Sequence, residues 1–480
     1  MMPEKRYTKL KEYLSDENPV LLDVISSYEA LDNLGHSIGL IETSETYTNH
    51  ISWWPMISLL GTFSAGKSTF INHYMGANIQ QSGNQAVDDK FTVLSYGNNE
   101  KPTTLPGLAL DADPRFPFYN ISAEVNKVDP DNGDRVNTYL QLKTVKSEKI
   151  KGRIIIDSPG FDADSQRDSV LRITKHIVEM SDLVLVFFDA RHPEPGAMRD
   201  TLKHLVQTTI GHKDSNKILY ILNQIDTSAK DNNLEDVISS WQRALANEGL
   251  ISGNFYTIYN ENASNEIEDE ALAKRLKDKK DVDLGKILER MEQVRIERAY
   301  RIIKSLEDFA KDIQDKKIPL LQKVLKGWWK RVIITDVSVL ALLAGAGAWA
   351  DSSFGISQTL LASSTTTMMT AGALAVIMMV THSKARTYFA KSLASKWKEK
   401  DIAISKAITH NTTWWKLFFG AGGADWHKVT KTKLQDIIDE GKTLIQKLND
   451  QHIHENEVPE DKKEDVKTKK ETKVDSESTK

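Results

Sequence analysis

The stretch that most constrains this chain is Gly61-Thr62-Phe63-Ser64-Ala65-Gly66-Lys67-Ser68. It has the form G-x-x-x-x-G-K-S. A short apolar run, Met56 to Leu60, enters it, and an apolar-periodic segment with Phe70, Ile71, Tyr74 and Met75 leaves it. Strand, glycine loop and helix in that order are the context of a phosphate-binding P-loop. The residue types follow from the task. Gly61 and Gly66 allow backbone geometry and a close approach that a Cβ would prevent. The amides from Gly61 to Thr69, at a helix N-terminus, face the phosphates. Lys67 reaches the β- and γ-phosphates, and the Ser68 hydroxyl is placed to ligate Mg²⁺. The loop therefore predicts binding of a nucleoside triphosphate.

Two further motifs narrow the class. Ile154-Ile-Ile-Asp157-Ser-Pro-Gly160 is an apolar strand ending in D-x-x-G. There Asp157 can hold Mg²⁺ or one of its waters, and the Gly160 amide can meet the γ-phosphate. Ile218-Leu-Tyr-Ile-Leu222 then leads into Asn223-Gln224-Ile225-Asp226, the position of the N/T-K-x-D sequence that reads guanine. All three motifs in this order and spacing fit a G-domain. The nucleotide-binding candidates are thus Gly61, Thr62, Phe63, Ser64, Ala65, Gly66, Lys67, Ser68, Thr69, Asn223, Gln224 and Asp226. Lys67, Ser64, Asp157 and Gly160 are the candidates for the hydrolytic step, with Ser68 and Asp157 for the metal.

Short apolar runs alternate with amphipathic segments from residue 56 to about 260. The runs are 56–60, 91–95, 154–156, 183–188, 218–222 and 255–259, with helical patterns at 169–180 and 234–247 among the intervals. That alternation predicts a mostly parallel sheet covered by helices on both faces. The interval 98–150 is rich in proline and glycine and is expected to hold loops with a strand within 138–145. Asp129-Pro-Asp131-Asn-Gly133 lacks the carboxylate ladder of a calcium loop and reads as a polar turn.

The order and spacing of these stretches resemble the dynamin superfamily, and most closely its Eps15-homology-domain (EHD) ATPase branch. The stretches are Pro55 to Ile71, Asp89-Lys-Phe91 with Tyr96-Gly97, Leu105 to Pro114, and Asp157 to Phe161 with Gln166-Arg167. Ser181 to Ala190, Asn223 to Asp226, and Val294 to Leu306 complete them. The resemblance covers roughly residues 50–310. It implies nucleotide-dependent self-assembly on membranes through the G-domain, slow hydrolysis, and a helical domain built from segments on both sides of the G-domain. Three departures bear on chemistry. The family's switch threonine should fall near Val87-Asp88, and Thr92, Thr103 and Thr104 are out of register. Phe63 stands where many dynamins place a catalytic glutamine, as in the EHD branch. Gln224 replaces the lysine that would stack on the base, so guanine specificity rests on Asp226; GTP is favoured and ATP, which EHD relatives prefer, stays open.

Composition divides the rest of the chain. Residues 1–50 carry Leu10, Tyr13, Leu14, Leu21, Leu22, Ile25, Tyr28, Leu31 and Leu34 at near-helical spacing, which predicts amphipathic helices that need helical partners from elsewhere. The G-domain is expected over 51–283 and more of the helical domain over 284–331, with a break at Pro319. From Val332 to Ala350 only Asp336 is charged, and from Ser352 to Thr381 nothing is. Each segment roughly meets the ~20 residues that span a bilayer. Lys326, Trp328, Trp329, Lys330 and Arg331 before them, and Lys384 and Arg386 after, fit a hairpin with both ends in the cytoplasm. Asp351-Ser352-Ser353 is expected to separate the two segments, and Gly345, Gly347, Ala371, Gly372 and Ala373 to let them pack closely. The rival reading is a buried helical pair in a soluble bundle. Residues 382–454 return to helix, with Trp414 to Gly420 and Trp426 as an interfacial segment or a bundle anchor. Over 455–480, 16 of 26 residues are charged and none is aromatic, so disorder is expected.

The fold class expected is therefore an α/β P-loop G-domain plus an α-helical bundle or stalk domain carrying a hydrophobic hairpin. With 63 basic and 67 acidic residues, nucleic acid is not the expected partner; a lipid bilayer and further copies of the chain are. Absence of cysteine excludes disulfides, thiolate catalysis and Cys-based zinc sites. The N-terminus lacks the apolar core of a signal peptide, and His452 and His454 have no ligand partners. The function expected is a membrane-anchored dynamin-like triphosphatase that remodels or tethers membranes, its G-domain on the cytoplasmic side. The alternative is a membrane-anchored nucleotide switch or scaffold with little hydrolysis.

Overall fold

β1 (Met56–Gly61) is buried at all six residues, and the nucleotide-binding part of the chain is laid out around it. The computed structural model describes residues 3–80, 90–113, 115–116, 136–160, 167–192, 217–227, 234–249, 253–263, 267, 269–355, 364–413 and 424–456. Before β1 come α1 (Pro3–Glu17) and α2 (Leu22–Ile38). After it come α3 (Lys67–Met75), β2 (Phe91–Tyr96), β3 (Thr103–Pro106), α4 (Leu108–Ala112), α5 (Val136–Tyr139), β4 (Leu140–Val145) and β5 (Ile154–Asp157). Then follow α6 (Arg167–Met180), β6 (Leu183–Asp189), β7 (Ile218–Asn223), α7 (Leu234–Asn247) and β8 (Asn254–Thr257). The chain continues through α8 (Glu270–Asp312), α9 (Ile318–Phe354), α10 (Ser364–Lys398), α11 (Ile402–Asn411) and α12 (Ala424–Asn456).

The eight strands form one sheet in the order β3-β4-β2-β5-β1-β6-β7-β8. β1 is parallel to β5 on one side and β6 on the other, and β6, β7 and β8 continue in parallel. Only the β2–β5 and β3–β4 pairs are antiparallel. The central strands are apolar on both faces, as in a mostly parallel sheet with both faces covered. Ile57, Leu59, Leu185, Phe187 and Ile221 pack on one face with Phe70, Ile71 and Met75 of α3 and with Ile287 and Met291 of α8. Leu60, Val184, Val186, Phe188 and Leu222 pack on the other with Trp241 and Leu245 of α7. Since the chain leaves β1 toward β5 and later returns toward β6, the crevice at the carboxyl end of β1 is where a doubly covered sheet binds ligands.

The chain forms two compact units: Pro3–Leu21 with Asn49–Ile302, and Leu22–Thr48 with Ile303–Lys480. α1, expected alongside α2 in the helical domain, groups instead with the nucleotide-binding unit. The cause is polar and buried. Glu17 at its end accepts from Trp54 Nε1 at 2.7 Å and Gly152 N at 3.1 Å, and pairs with Arg115 at 3.5 Å. Burial raises the Glu17 carboxyl above its ordinary range, against the pull of Arg115 and those donors. At the root of β1, Asp182 accepts from Met56 N at 2.9 Å and pairs with Arg298 and Arg301 of α8 at 3.2 and 2.7 Å.

In the second unit α2 packs against α12, and Lys447 pairs with Asp23 across them. The expected break at Pro319 is a π-helical turn, Ile313–Lys317, just before it. Proline has no N–H to donate and its ring crowds the carbonyl four residues back, and the wider turn makes room. Helix then runs unbroken through Asp351-Ser352-Ser353 to Phe354, where Gly355 (φ 64°) ends it. The separator expected at 351–353 therefore lies later, because only glycine takes this left-handed cap without strain.

Along the hairpin the apolar side chains face outward: Ile334 is 62% exposed, Leu342 73%, Trp349 66% and Met368 77%. The buried-pair reading does not hold within this chain. Nor do the small residues mediate packing, since a Cβ on Gly345, Gly347 or Gly372 would meet nothing within 4 Å. The helices meet instead at the hairpin's foot. Trp328 and Val332 pack on Ala390 there, Arg386 stacks 4.8 Å from the Trp328 ring, and Asp336 bonds His382 at 2.7 Å.

The Asp182 cluster gives a stability test. Asp182→Ala leaves the half-buried Arg298 and the Met56 amide uncompensated and should cost about 3–5 kcal/mol. Arg301→Ala removes a more exposed partner and should cost about 1 kcal/mol or less. Denaturant midpoints of the two variants check the contrast.

Candidate nucleotide site

The site begins with the loop between β1 and α3. Gly66 has φ 87°, and a Cβ there would stand 2.1 Å from Asn223 Nδ2, so this position accepts only glycine. Ser64 also takes a left-handed conformation (φ 60°), unusual for a residue with a side chain. Lys67 opens α3 with its side chain buried, and its Nζ donates to the Gly61 carbonyl at 2.9 Å and the Thr62 carbonyl at 3.1 Å. Burial lowers its pKa to about 8, partly opposed by the Asp157 carboxylate.

Two strand ends meet this loop. From β7, Asn223 Nδ2 donates to the Ala65 carbonyl at 2.9 Å and Gln224 Nε2 to the Ser64 carbonyl at 2.6 Å. Gln224 has φ 64°, which turns its side chain back onto the loop. Gln224, at the position where the family has its base-stacking lysine, therefore clasps the P-loop. Asp226 is buried beyond it, close enough to Arg191 to raise that guanidinium's pKa, after the larger effect of the Asp189 carboxylate that Arg191 bonds. From β5, Asp157 Oδ2 lies 3.5 Å from Ser68 Oγ. Gly160 lies against the loop as well: a Cβ there would stand 2.8 Å from Phe63 Cα.

Lys67, Ser64, Ser68, Asp157, Gly160, Asn223 and Gln224 are thus brought together from three strand ends. Phe63 and Gly61 complete the loop, and Thr69 lines a cavity of about 190 Å³ with Asn223, Tyr259, Asn260, Glu261 and His73. Thr103 and Thr104 stand on edge strand β3, separated by β4 and β2 from β5. Thr92 is the in-register partner of Asp157, but its hydroxyl is engaged by Gln141 Nε2 at 2.7 Å. The position expected for a switch threonine, 87–88, lies outside the described residues, as do 129–133, Gln166, 414–420 and 457–480.

Sequence reasoning missed Gln80, Lys143 and Arg191. Gln80 Nε2 donates to Asp157 Oδ2 at 2.9 Å, and Lys143 Nζ donates to Gln80 Oε1 at 2.9 Å and the Ile79 carbonyl at 2.7 Å. The one signal available was alternation in β4, where polar Gln141 and Lys143 alternate with buried Leu140 and Leu142.

Among the described residues no group of three His, Cys, Asp or Glu could cage a metal alone. Ser68 and Asp157 offer two hard oxygens at the start of a helix, which suits Mg²⁺ completed by phosphate oxygens and water.

Residues 57–225 match the model of the Dynamin family. The chain is similar to EH domain-containing protein 1 of Homo sapiens and of Bos taurus, at 29% identity over 181 residues, 36% of this chain and 31% of each of those proteins. It is similar to EH domain-containing protein 2 of Rattus norvegicus at 29% over 182 residues, 36% of this chain and 30% of that protein. The chain thus aligns with less than a third of the length of these curated relatives. Among solved structures it is similar to an oligomerised bacterial dynamin pair described as a mechanism for long-range sensing and tethering of membranes. That match has 15% identity and a TM-score of 0.34, over 87% of this chain and 78% of that one. It is also similar to Aquifex aeolicus Era bound to GDP and AlF4⁻, at 17% identity and a TM-score of 0.25, over 46% and 56% of the two chains.

The buried Lys67 sets a pH dependence. Its folded pKa of about 8 lies below the ordinary 10.5, so the unfolded chain holds this proton more tightly. The ligand-free protein therefore bears the full burial cost below pH 8 and gains stability as pH rises from about 8 to 10.5. A triphosphate favours the charged form, so affinity should fall by up to about tenfold per pH unit above pH 8. Fluorescent-nucleotide titrations across that range check this. Lys67→Ala should lose about 10- to 100-fold in affinity at neutral pH and flatten the profile.

Proposed function

From the premise that residues 57–225 form a G-domain of the dynamin family, we propose that this chain is a membrane-anchored nucleoside triphosphatase that self-assembles on, and remodels or tethers, a bilayer. The observation that carries this reading is one chain holding both an organised P-loop site and a hairpin whose apolar side chains face outward.

At the site, Lys67 exchanges its two carbonyl partners for β- and γ-phosphate oxygens, while Ser64 and Gly160 bring backbone amides to the γ-phosphate. Asn223 and Gln224 hold the loop in shape, so little reorganisation accompanies binding. Ser68 and Asp157 would hold Mg²⁺, which would supply charge neutralisation at the phosphates. Asp226 favours guanine through its acceptor oxygens. With Gln224 committed to the loop, ATP is the rival substrate.

Among the described residues, two helices are long and apolar enough to cross a membrane. From Val332 to Phe354 the helix runs about 33 Å, against a hydrocarbon core of ~30 Å. Asp336 does not oppose insertion as a lone carboxylate would, because His382 of the facing helix partners it. Lys326, Lys330, Arg331 and Lys384 flank the foot of the hairpin and set the G-domain on the cytoplasmic side. Assembly with further copies through the G-domain rests on the family resemblance.

Flotation with liposomes, combined with turnover of GTP and ATP side by side, tests the proposal. The full chain should float and show lipid-stimulated hydrolysis that Lys67→Ala abolishes. A chain with residues 332–381 replaced by a short polar loop should stay soluble and bind nucleotide normally. Flotation of both forms alike would sink the anchor; binding without lipid-stimulated turnover would favour the switch or scaffold reading.

A further inference from the structure

The least expected contact in the site is a three-member chain of side chains ending on the metal-side carboxylate. Lys143 lies on β4, two strands away from β5 in the sheet. In-register pairing of Asp157 with Thr92, and of Thr92 with Gln141, puts those residues and Lys143 on the same face. Gln80, just beyond α3 and buried, fills the gap between the cation and the carboxylate. Its amide accepts from Lys143 Nζ at 2.9 Å and donates to Asp157 Oδ2 at 2.9 Å. Its backbone is fixed too: Asn72 Oδ1 accepts from Gln80 N at 2.8 Å, and Asn72 Nδ2 donates to the Gln80 carbonyl at 2.8 Å. The same Oδ2 atom faces Ser68 Oγ at 3.5 Å.

We propose that Gln80 and Lys143 are positioning residues for the metal, an ammonium–amide brace that holds the Asp157 carboxylate in the orientation Mg²⁺ requires. This inference rests on the assignment of Asp157 to the metal. A glutamine amide suits the role because it transmits a charge without adding one. Lys143 polarises the carbonyl end, which strengthens the N–H end as a donor to the carboxylate. A lysine placed directly against Asp157 would compete with the metal for its oxygens. The brace also restrains Asp157 from turning toward Lys67, the other cation whose charge it feels. Outer-shell groups that orient a metal's ligand in this way are worth about 10- to 100-fold in metal affinity.

The test uses the full chain and a fluorescent GTP or ATP analogue, titrated with nucleotide in EDTA and with Mg²⁺ at fixed nucleotide. For Gln80→Ala and Lys143→Met, affinity in EDTA should stay within about twofold of the unaltered protein, while the Mg²⁺ concentration for half-saturation rises about tenfold or more. Lys143→Arg keeps a charged donor and should keep most of the Mg²⁺ dependence. Because Lys143 acts through Gln80, the double variant should be no worse than Gln80→Ala alone. An unchanged Mg²⁺ requirement in both single variants overturns the proposal, and so do equal losses with and without metal, or additive effects in the double variant. Thermal unfolding of each ligand-free variant identifies any that fail to fold; if Lys143→Met does, Gln80→Ala and Lys143→Arg carry the comparison. Asp157→Ala in the same titration separates the two levels. No effect there refutes the site assignment itself, whereas an effect there and none in Gln80→Ala refutes only the brace.

Discussion

A buried ammonium at the head of α3 is the constraint around which the nucleotide site is organised. Lys67 satisfies its donors within the protein, on the Gly61 and Thr62 carbonyls. Those carbonyls are available only because the loop curls around the side chain. The curl in turn needs a left-handed Ser64 and a Gly66 that leaves room for Asn223. Asn223 and Gln224 then tie the outside of the loop to the end of β7. The loop is therefore held from within by a charge and from without by two amides.

The second unit obeys the opposite rule. In the sheet unit, apolar residues on both faces of the central strands are covered by helices of the same chain, which leaves β1, β5, β6 and β7 buried throughout. In the hairpin, apolar residues of α9 and α10 are left uncovered, and the two helices pack on each other at the foot. A soluble monomer does not retain so extended an apolar surface unless something else covers it. The foot itself joins tryptophan, arginine, histidine and aspartate, which lets the polar ends meet each other where the apolar stretch begins.

Local periodicity and spacing were enough to read β1, β2, β5, β6 and β7 and the helices at 167–180 and 234–247 within a residue or two. They were enough because each of these elements is buried on both faces or along a strong stripe, so its pattern is dictated by the core. The end of the first hairpin helix was read too early, at Asp351-Ser352-Ser353, because polar residues at a helix surface interrupt composition without interrupting hydrogen bonding. The clasp that Gln224 makes on the loop was not legible for a different reason: a left-handed backbone aims its side chain there, and no residue pattern announces that. Gln80 and Lys143 were missed because they come together from segments more than sixty residues apart.

By itself, then, the sequence pointed to a P-loop α/β domain that resembles the dynamin family and to an unusually apolar pair of helices. Loop chemistry and hydrophobic periodicity are local, and a chain with Gly61-to-Ser68 between such flanks has few other folds open to it. Only the tertiary structure decided which polar groups face one another. It turned Gln224 onto Ser64, set Gln80 between Lys143 and Asp157, gave Asp336 a partner in His382, and left the hairpin's apolar face outward. Those pairings depend on strand order, register and backbone torsion, quantities fixed by packing across the whole domain rather than by any stretch of residues read along the chain.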